Sequence, residues 1–326
     1  MVITWWSSES ATSAPTIVSD VPAMMSSALS VVSIRVELRP WNRETFRSAA
    51  IRFGGGQELR NLRLMTNVGP EVEQITLSAT RAVSRPVMLQ GWHNLTSLHW
   101  AYEPSMVQNL LPRGYTVDTF DNAAWVGLIP FHMRRIRLPF GPSGGFSAGR
   151  FATFPETNVR TYIVDGNGRR AVWFFSLDIT RMAPTLIARV AYGLPYCWAT
   201  MSIETPSSNV VSYTSQRRWP RPSHAGSASS VVTIRIGDRL TATSPTAERD
   251  AFLSARWALG STFARRLVWA DVDHPAWILH TGELLECRES LVSASGLAAP
   301  TGDPVVLWSP GVEVRIARPH LVKGNG

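Results

Sequence analysis

From Val87 onward, apolar and polar residues alternate with a period of two over long, aromatic-rich stretches, which predicts half-buried β-strands. TSLHWAY (96–102) reads as a strand, and Pro104 then opens a short helix, PSMVQNLLP, with Met106, Val107, Leu110 and Leu111 on one face. TVDTFD and AAWVGLIPFHMRRIRL are joined at Asp121-Asn122, a hairpin signal, and ETNVRTYIV and AVWFFSLDI flank a second turn, Asp165-Gly166-Asn167-Gly168. Between the hairpins lies a glycine-rich, proline-bounded loop, LPFGPSGGFSAGRFATFP (138–155), of a length usual for functional loops. A helix is expected at TRMAPTLIARVAYG, ending on the αL-compatible Gly193, and another at TAERDAFLSARWAL. Further strands are expected at CWATMSIE, NVVSYTS, SVVTIRIG, RRLVWADV, WILHTGELLEC, VVLWS and VEVRIAR. Roughly ten strands with three helices, mostly adjacent hairpins, predict a mainly β (α+β) protein, its antiparallel sheet curled into a barrel or sandwich.

This pattern sets the expected division of the chain. Residues 88–320 form the β domain, and residues 321–326 a short tail. Residues 1–87 are an N-terminal extension whose first thirty or so residues are Ser-, Ala-, Thr- and Pro-rich and lack a sustained period. Residues 31–87 carry short alternating pieces and a Gly54–Gly56 run that reads as spacer; a small β element, a linker and upstream sequence before a start at Met65 or Met88 all fit.

Composition adds three constraints. The formal charge is +8, but of the 32 basic residues all except Lys323 are arginine, and their only clusters are Arg134, Arg135, Arg137 and Arg217, Arg218, Arg221. Without a tract of five or more, this spread argues against nucleic acid as the partner, though binding of nucleic acid or another anionic partner through the clusters stands as a second alternative. The two cysteines, Cys197 and Cys287, form no CxxC pair or disulfide framework, so a reducing, cytoplasmic setting is expected. No long apolar run or leader-like start occurs, so neither a membrane span nor secretion is expected.

Candidate chemistry is sparse. The seven histidines show no metal-ligand spacing, and no phosphate loop, nucleophile elbow or kinase pattern occurs, so neither a metal nor a cofactor is expected. In ETNVRTY, by contrast, Glu156, Asn158 and Arg160 stand two apart and leave one face of a strand. If that face is a barrel interior, with Thr157, Val159 and Thr161 packing under helices, Glu156 and Arg160 should pair with each other or with a bound anion. A solvated hairpin face or a structural ion pair is the bland alternative. In YGLPYCWATM (192–201), Tyr196 and Trp198 leave one face and Cys197 the other, where a small buried apolar residue is the simpler reading than a nucleophile. The thirteen tryptophans suit core and cavity lining; Trp173 and Trp198 are expected to face a ligand.

GWHNLTSLHWAYEPSMVQNLLPRGYTVDTFDNAAWVGLIPFHM, FPETNVRTYIVDGNGRRAVWFFSLD and YGLPYCWATM together resemble the YqjF-like bacterial family, a conserved domain of unknown function, over about residues 88–320. The resemblance extends to the acetoacetate decarboxylase-like superfamily and implies a closed, cone-shaped antiparallel β-barrel with a central cavity and a few flanking helices. The decarboxylase forms a Schiff base through a Gly-Phe-Pro-Lys-Lys segment. The corresponding segment here is Gly193-Leu194-Pro195-Tyr196-Cys197, without either lysine. What the resemblance implies is therefore the cavity, with Glu156 near the superfamily's cavity carboxylate, and no Schiff-base decarboxylation. A small organic acid or carbonyl compound is the expected ligand, held by Arg160, Asn158 and Glu156. The alternative is a lysine-independent acid/base enzyme of tautomerase, dehydratase or lactone hydrolase type, with Glu156 as base and Tyr196 or His99 stabilising an oxyanion. Homo-oligomerisation is left open.

Overall fold

The computed structural model describes residues 35–38, 49–52, 70–139, 146–147, 153–180, 193–220 and 228–322. Two compact units result, residues 1–68 and 69–326. In the first, β1 (Arg35–Leu38) and β2 (Ala49–Arg52) pair antiparallel, one of the readings open for that region. The second contains β3 (Met88–Tyr102), α1 (Pro104–Gln108), β4 (Tyr115–Val117), β5 (Thr119–Phe120), β6 (Ala123–Leu138), β7 (Phe146–Ser147), β8 (Phe154–Asp165) and β9 (Arg170–Ile179). It continues through β10 (Tyr196–Ser207), β11 (Val210–Trp219), β12 (Ser229–Arg239), α2 (Ala247–Ser254), β13 (Ala258–Phe263), β14 (Arg266–Asp273), β15 (His280–Glu289), β16 (Val305–Ile316) and β17 (His320–Leu321).

Five long strands in the order β16-β3-β6-β8-β9 form an antiparallel wall. From its edges the sheet closes twice. One closure runs β9-β10-β11-β12-β15-β16 and completes a ring of nine strands. The other runs β9-β13-β14-β16 and completes a ring of seven. The split occurs on β9, whose Leu177–Ile179 pair with Tyr196–Trp198 while its Val172–Trp173 pair with Leu259–Gly260. Both junctions are parallel in an otherwise antiparallel sheet, because neither is made by a tight hairpin.

The wall is buried on both faces. Leu98, Trp100, Val126, Leu128 and Val159 point into the nine-strand ring and meet Val211, Tyr213, Val232 and Ile234 in a filled apolar core. Thr157, Val159 and Thr161 therefore share the wall's other side, and Val159 packs beneath strands rather than helices. Burial on both faces is also why β6 carries an almost unbroken apolar run, AAWVGLIPF, instead of clean alternation.

Both expected turns are present. Asp121 and Asn122 adopt φ of 53° and 58° before β6, and the Asp165 carboxylate accepts from the Asn167 and Arg169 amides in the second turn. Gly193 has φ 62°, and a Cβ there would lie 2.0 Å from the Thr262 carbonyl of β13, so close strand approach as well as backbone conformation requires glycine. The helix expected at 180–193 otherwise lies outside the described residues, as does much of the 138–155 loop.

Two helices are shorter than their patterns. α1 ends at Gln108, leaving Val107 buried and Met106 and Leu110 exposed, so the four apolar residues do not form one packed face. α2 ends at Ser254, because Ala258 onward is drawn into the β13–β14 hairpin. The expected boundary at residue 87 falls inside the second unit. Residues 70–87 run along the barrel: the Glu73 amide donates to Gly168, Trp257 Nε1 donates to Thr76, and the Val87 amide donates to Ile316. At the other end, β17 pairs with β14; Lys323 lies outside the described residues. Among the described residues no helix is long and apolar enough to cross a membrane.

Candidate functional site in the seven-strand ring

The second face of the wall opens on a cavity of about 100 Å³ to which all seven strands of the smaller ring contribute. One buried water needs roughly 10–15 Å³ in such a measure, so a small multi-atom ligand fits. Glu156, Asn158 and Arg160 of β8 line it, opposite the apolar side chains of Val172, Phe174 and Leu177 on β9. Ile129, Phe131 and Met133 extend the lining along β6. On β3 the simple alternation breaks between His93 and Leu98, where Asn94 takes φ 44°. That shift puts Gln90 and Trp92 on the same side as Leu95.

Glu156 is 3% exposed, and among the described residues no ion pair joins it to Arg160. Instead the Asn158 side chain donates a hydrogen bond to it. Burial, with the negative charge of Asp178 adding to it and the Asn158 hydrogen bond opposing, pushes its carboxyl up to about 8. Arg160 donates to the Leu253 carbonyl at 3.2 Å and to the Tyr162 hydroxyl at 3.4 Å. Of the two arrangements open for this face, a mutual Glu156–Arg160 pair or a pairing with a bound anion, the first is not formed: the two groups are held separately.

Arg256, between α2 and β13, also lines the cavity and is 3% exposed. It donates to Asp118 at 2.9 Å and lies 4.5 Å from the ring centres of Tyr162 and Phe252. Burial lowers it to about 10 despite the opposing pull of Asp118. At the aromatic end, Trp92 and Trp277 lie nearly parallel with centroids 6.1 Å apart, and His274 packs 4.5 Å from Trp257 and 5.1 Å from Trp277. Burial holds His274 below its ordinary value, and its Nδ1 donates to the Pro275 carbonyl at 2.7 Å.

Ten buried side-chain nitrogen or oxygen atoms among the described residues have no hydrogen-bond partner, and six belong to residues lining this cavity. They are Trp92 Nε1, Trp277 Nε1, Arg160 Nε, Arg256 Nε, Glu156 Oε2 and Asn158 Oδ1. Buried polar groups are ordinarily satisfied, so their concentration at one place sets a polar patch within a largely apolar pocket. Among the described residues no group of three or more His, Cys, Asp and Glu is placed to hold a metal.

Of the residues named from sequence, Glu156, Asn158, Arg160 and Tyr196 converge on the cavity. His99 shares their face of the wall but does not line the pocket: it sits opposite Gly127 and bonds the Tyr162 hydroxyl at 2.7 Å. Gly127 is needed there, since a Cβ would come within 2.7 Å of His99 Nε2. Trp173 and Trp198 are also absent from the lining. Val172 and Phe174 point inward, so Trp173 faces outward, 5.8 Å from Tyr115, while Trp198 sits opposite Trp219 on β11. Trp92, Arg256, His274 and Trp277 were not named from sequence. For Arg256 a signal exists, a lone cation within the apolar stretch AFLSARWAL; the others carry none before the rings close.

In one arginine cluster Arg217 is buried in an ion pair with Asp178 at 2.7 Å, Arg218 donates to Thr200, and Arg221 lies outside the described residues. In the other cluster Arg135 pairs with Glu313 and Arg134 donates to His132.

Comparison with known proteins agrees with this architecture. Uncharacterized protein YqjF of Bacillus subtilis (strain 168) is 28% identical over 229 residues, covering 68% of this chain and 87% of YqjF. An acetoacetate decarboxylase-like enzyme from Sphingomonas wittichii RW1 superposes with a TM-score of 0.50 at 12% identity, over 78% of this chain and all of that one. The enduracididine biosynthesis enzyme MppR complexed with pyruvate gives a TM-score of 0.50 at 13% identity, over 76% of this chain and 95% of its own. The fold is thus acetoacetate decarboxylase-like. Residues 89–313 match DUF2071, an uncharacterized conserved protein family, and the chain belongs to that family.

Proposed function

We propose that the seven-strand ring binds a small organic acid or carbonyl compound. Arg160 meets its anionic group, and the Glu156–Asn158 pair meets a second oxygen. The observation that supports this is the set of six unpartnered polar atoms on residues lining one largely apolar cavity. Four of the six are N–H donors, so the fitting ligand is rich in acceptors. Pyruvate, the ligand of the fold neighbour MppR, is of this class. The chemistry proposed excludes an imine, because Tyr196 and Cys197 stand where the decarboxylase pattern has its lysines.

Calorimetric titration with a panel of keto acids and lactones, pyruvate among them, tests the reading. A panel member is expected to bind the parent and to bind Arg160→Ala on the order of 10- to 100-fold more weakly, the effect of one charged hydrogen bond. Equal binding by both proteins would remove the role assigned to Arg160. The presence of both Glu156 and Tyr196 in the same lining favours acid/base catalysis as a second reading. Turnover of a panel member by the parent, lost in Glu156→Gln, would select it.

A further inference from the structure

We infer that Glu156 stands in the cavity as a neutral carboxylic acid and serves the ligand as a hydrogen-bond donor, so that only the protonated protein binds an anion fully.

The argument begins with what surrounds the carboxyl. Its own strand supplies Asn158, which donates to it, and Arg160, which is engaged with Leu253 and Tyr162 and makes no ion pair with it. Across β6 its partner is Phe131, and across β9 it is Ile179, with the Asp178 carboxylate on the adjoining position. From the remaining elements around the cavity come Gln90, Tyr196, His274 and Arg256. His274 is held neutral by burial, and Arg256 already serves Asp118. The charge that acts on Glu156 is the Asp178 carboxylate, itself paired with Arg217 at 2.7 Å, and Oε2 has no hydrogen-bond partner. An ionised carboxylate in this place would lack a counter-ion and most of its hydrogen bonds; a neutral acid needs no counter-ion and keeps an O–H for a ligand acceptor to satisfy. The direction of its titration, upward, agrees.

The consequence concerns selectivity. With Glu156 neutral, Arg160, which has no carboxylate partner among the described residues, supplies a positive charge that suits a monoanion; with Glu156 ionised, the same ligand would meet a carboxylate. The carboxyl proton would then lie against a keto, lactone or carboxylate oxygen, leaving the ligand's anionic group to Arg160. Only this ligand-facing half rests on the binding role proposed above; the protonation state does not.

Two measurements on the full chain separate them. Infrared difference spectroscopy of parent against Glu156→Gln at neutral pH should show a protonated-carboxyl band in the parent alone, which fades near pH 8. Absence of that band would overturn the inference, whether or not anything binds. Pyruvate titrated from about pH 6 to about pH 9 should bind the parent with constant affinity up to about 8, then up to tenfold more weakly per pH unit. Glu156→Gln, which keeps Arg160 and Arg256 and a side-chain N–H donor, should bind with little pH dependence. An equal decline in both proteins would overturn the donor role of Glu156. A persistent band with no pyruvate binding at any pH would uphold the neutral acid and count against pyruvate as ligand.

Discussion

Asp118→Ala is expected to cost the fold on the order of 3–5 kcal/mol, the usual effect of leaving buried charges without their partner. Asp118 lies between β4 and β5, its amide donating to the Tyr162 carbonyl at 2.9 Å. Its Oδ2 accepts from both Arg170, on β9, and Arg256, beyond α2. The Arg256 side chain is 3% exposed and that of Arg170 19% exposed, so water cannot readily replace the carboxylate. Arg256 is further fixed by donating to the carbonyl of the preceding Ala255 and by the rings of Tyr162 and Phe252. Removing Asp118 would leave two guanidiniums facing each other beside the cavity. Urea denaturation at neutral pH measures the loss, and a change below about 1 kcal/mol would show that water enters and solvates the arginines. Adding Arg256→Met should restore part of the stability, since it removes the more deeply buried of the stranded charges.

The second large effect is on pH dependence. The folded protein holds the Glu156 proton up to about 8, while the ordinary value, taken for the unfolded chain, is 4.5. Between these values the unfolded chain has released the proton and the folded one has not, so stability falls as pH rises. The slope reaches at most about 1.4 kcal/mol per pH unit, and the accumulated loss above pH 8 is several kcal/mol, with about 5 as a ceiling. Below about 4.5 the contribution is fully present. Glu156→Gln lacks this group, so its stability relative to the parent should rise steadily across the window and level off above it. Urea midpoints of both proteins at about pH 4, 6 and 8 test this. Parallel curves would show that Glu156 is solvated or ionised in the folded state.

These effects explain which parts of the site could be read from the chain. ETNVRTY carries its polar face in its own period of two, and the positions of Glu156, Asn158 and Arg160 in the cavity follow from that local rule. Tyr196 follows a turn whose Gly193 and Pro195 are likewise legible. His99 lies on the same face of the wall, yet the Gly127 gap lets its ring settle against Tyr162, away from the ligand. Trp173 misleads because aromatic character states only that a residue is buried, while the sense of alternation decides the side. Trp92 illustrates the reverse: the irregularity at Asn94 changes the phase of β3, and no alternating pattern shows in advance where such a shift falls.

The sequence by itself determined the hairpins, the strand character of residues 88–316, the polar face of β8 and the lack of a lysine at the decarboxylase-like turn. Each depends on residues within a few positions of one another, where backbone period, turn chemistry and side-chain identity act directly. Only the tertiary structure decided that β9 divides its free edge between β10 and β13, and so closes two rings upon one wall. That division assigns Val159 to a filled core and Glu156 to a cavity, although both lie on one strand. It also brings Arg256, His274 and Trp277 to the cavity that Glu156 lines. Those contacts span roughly a hundred residues of chain, and their formation depends on loop closure and strand pairing that no local pattern records.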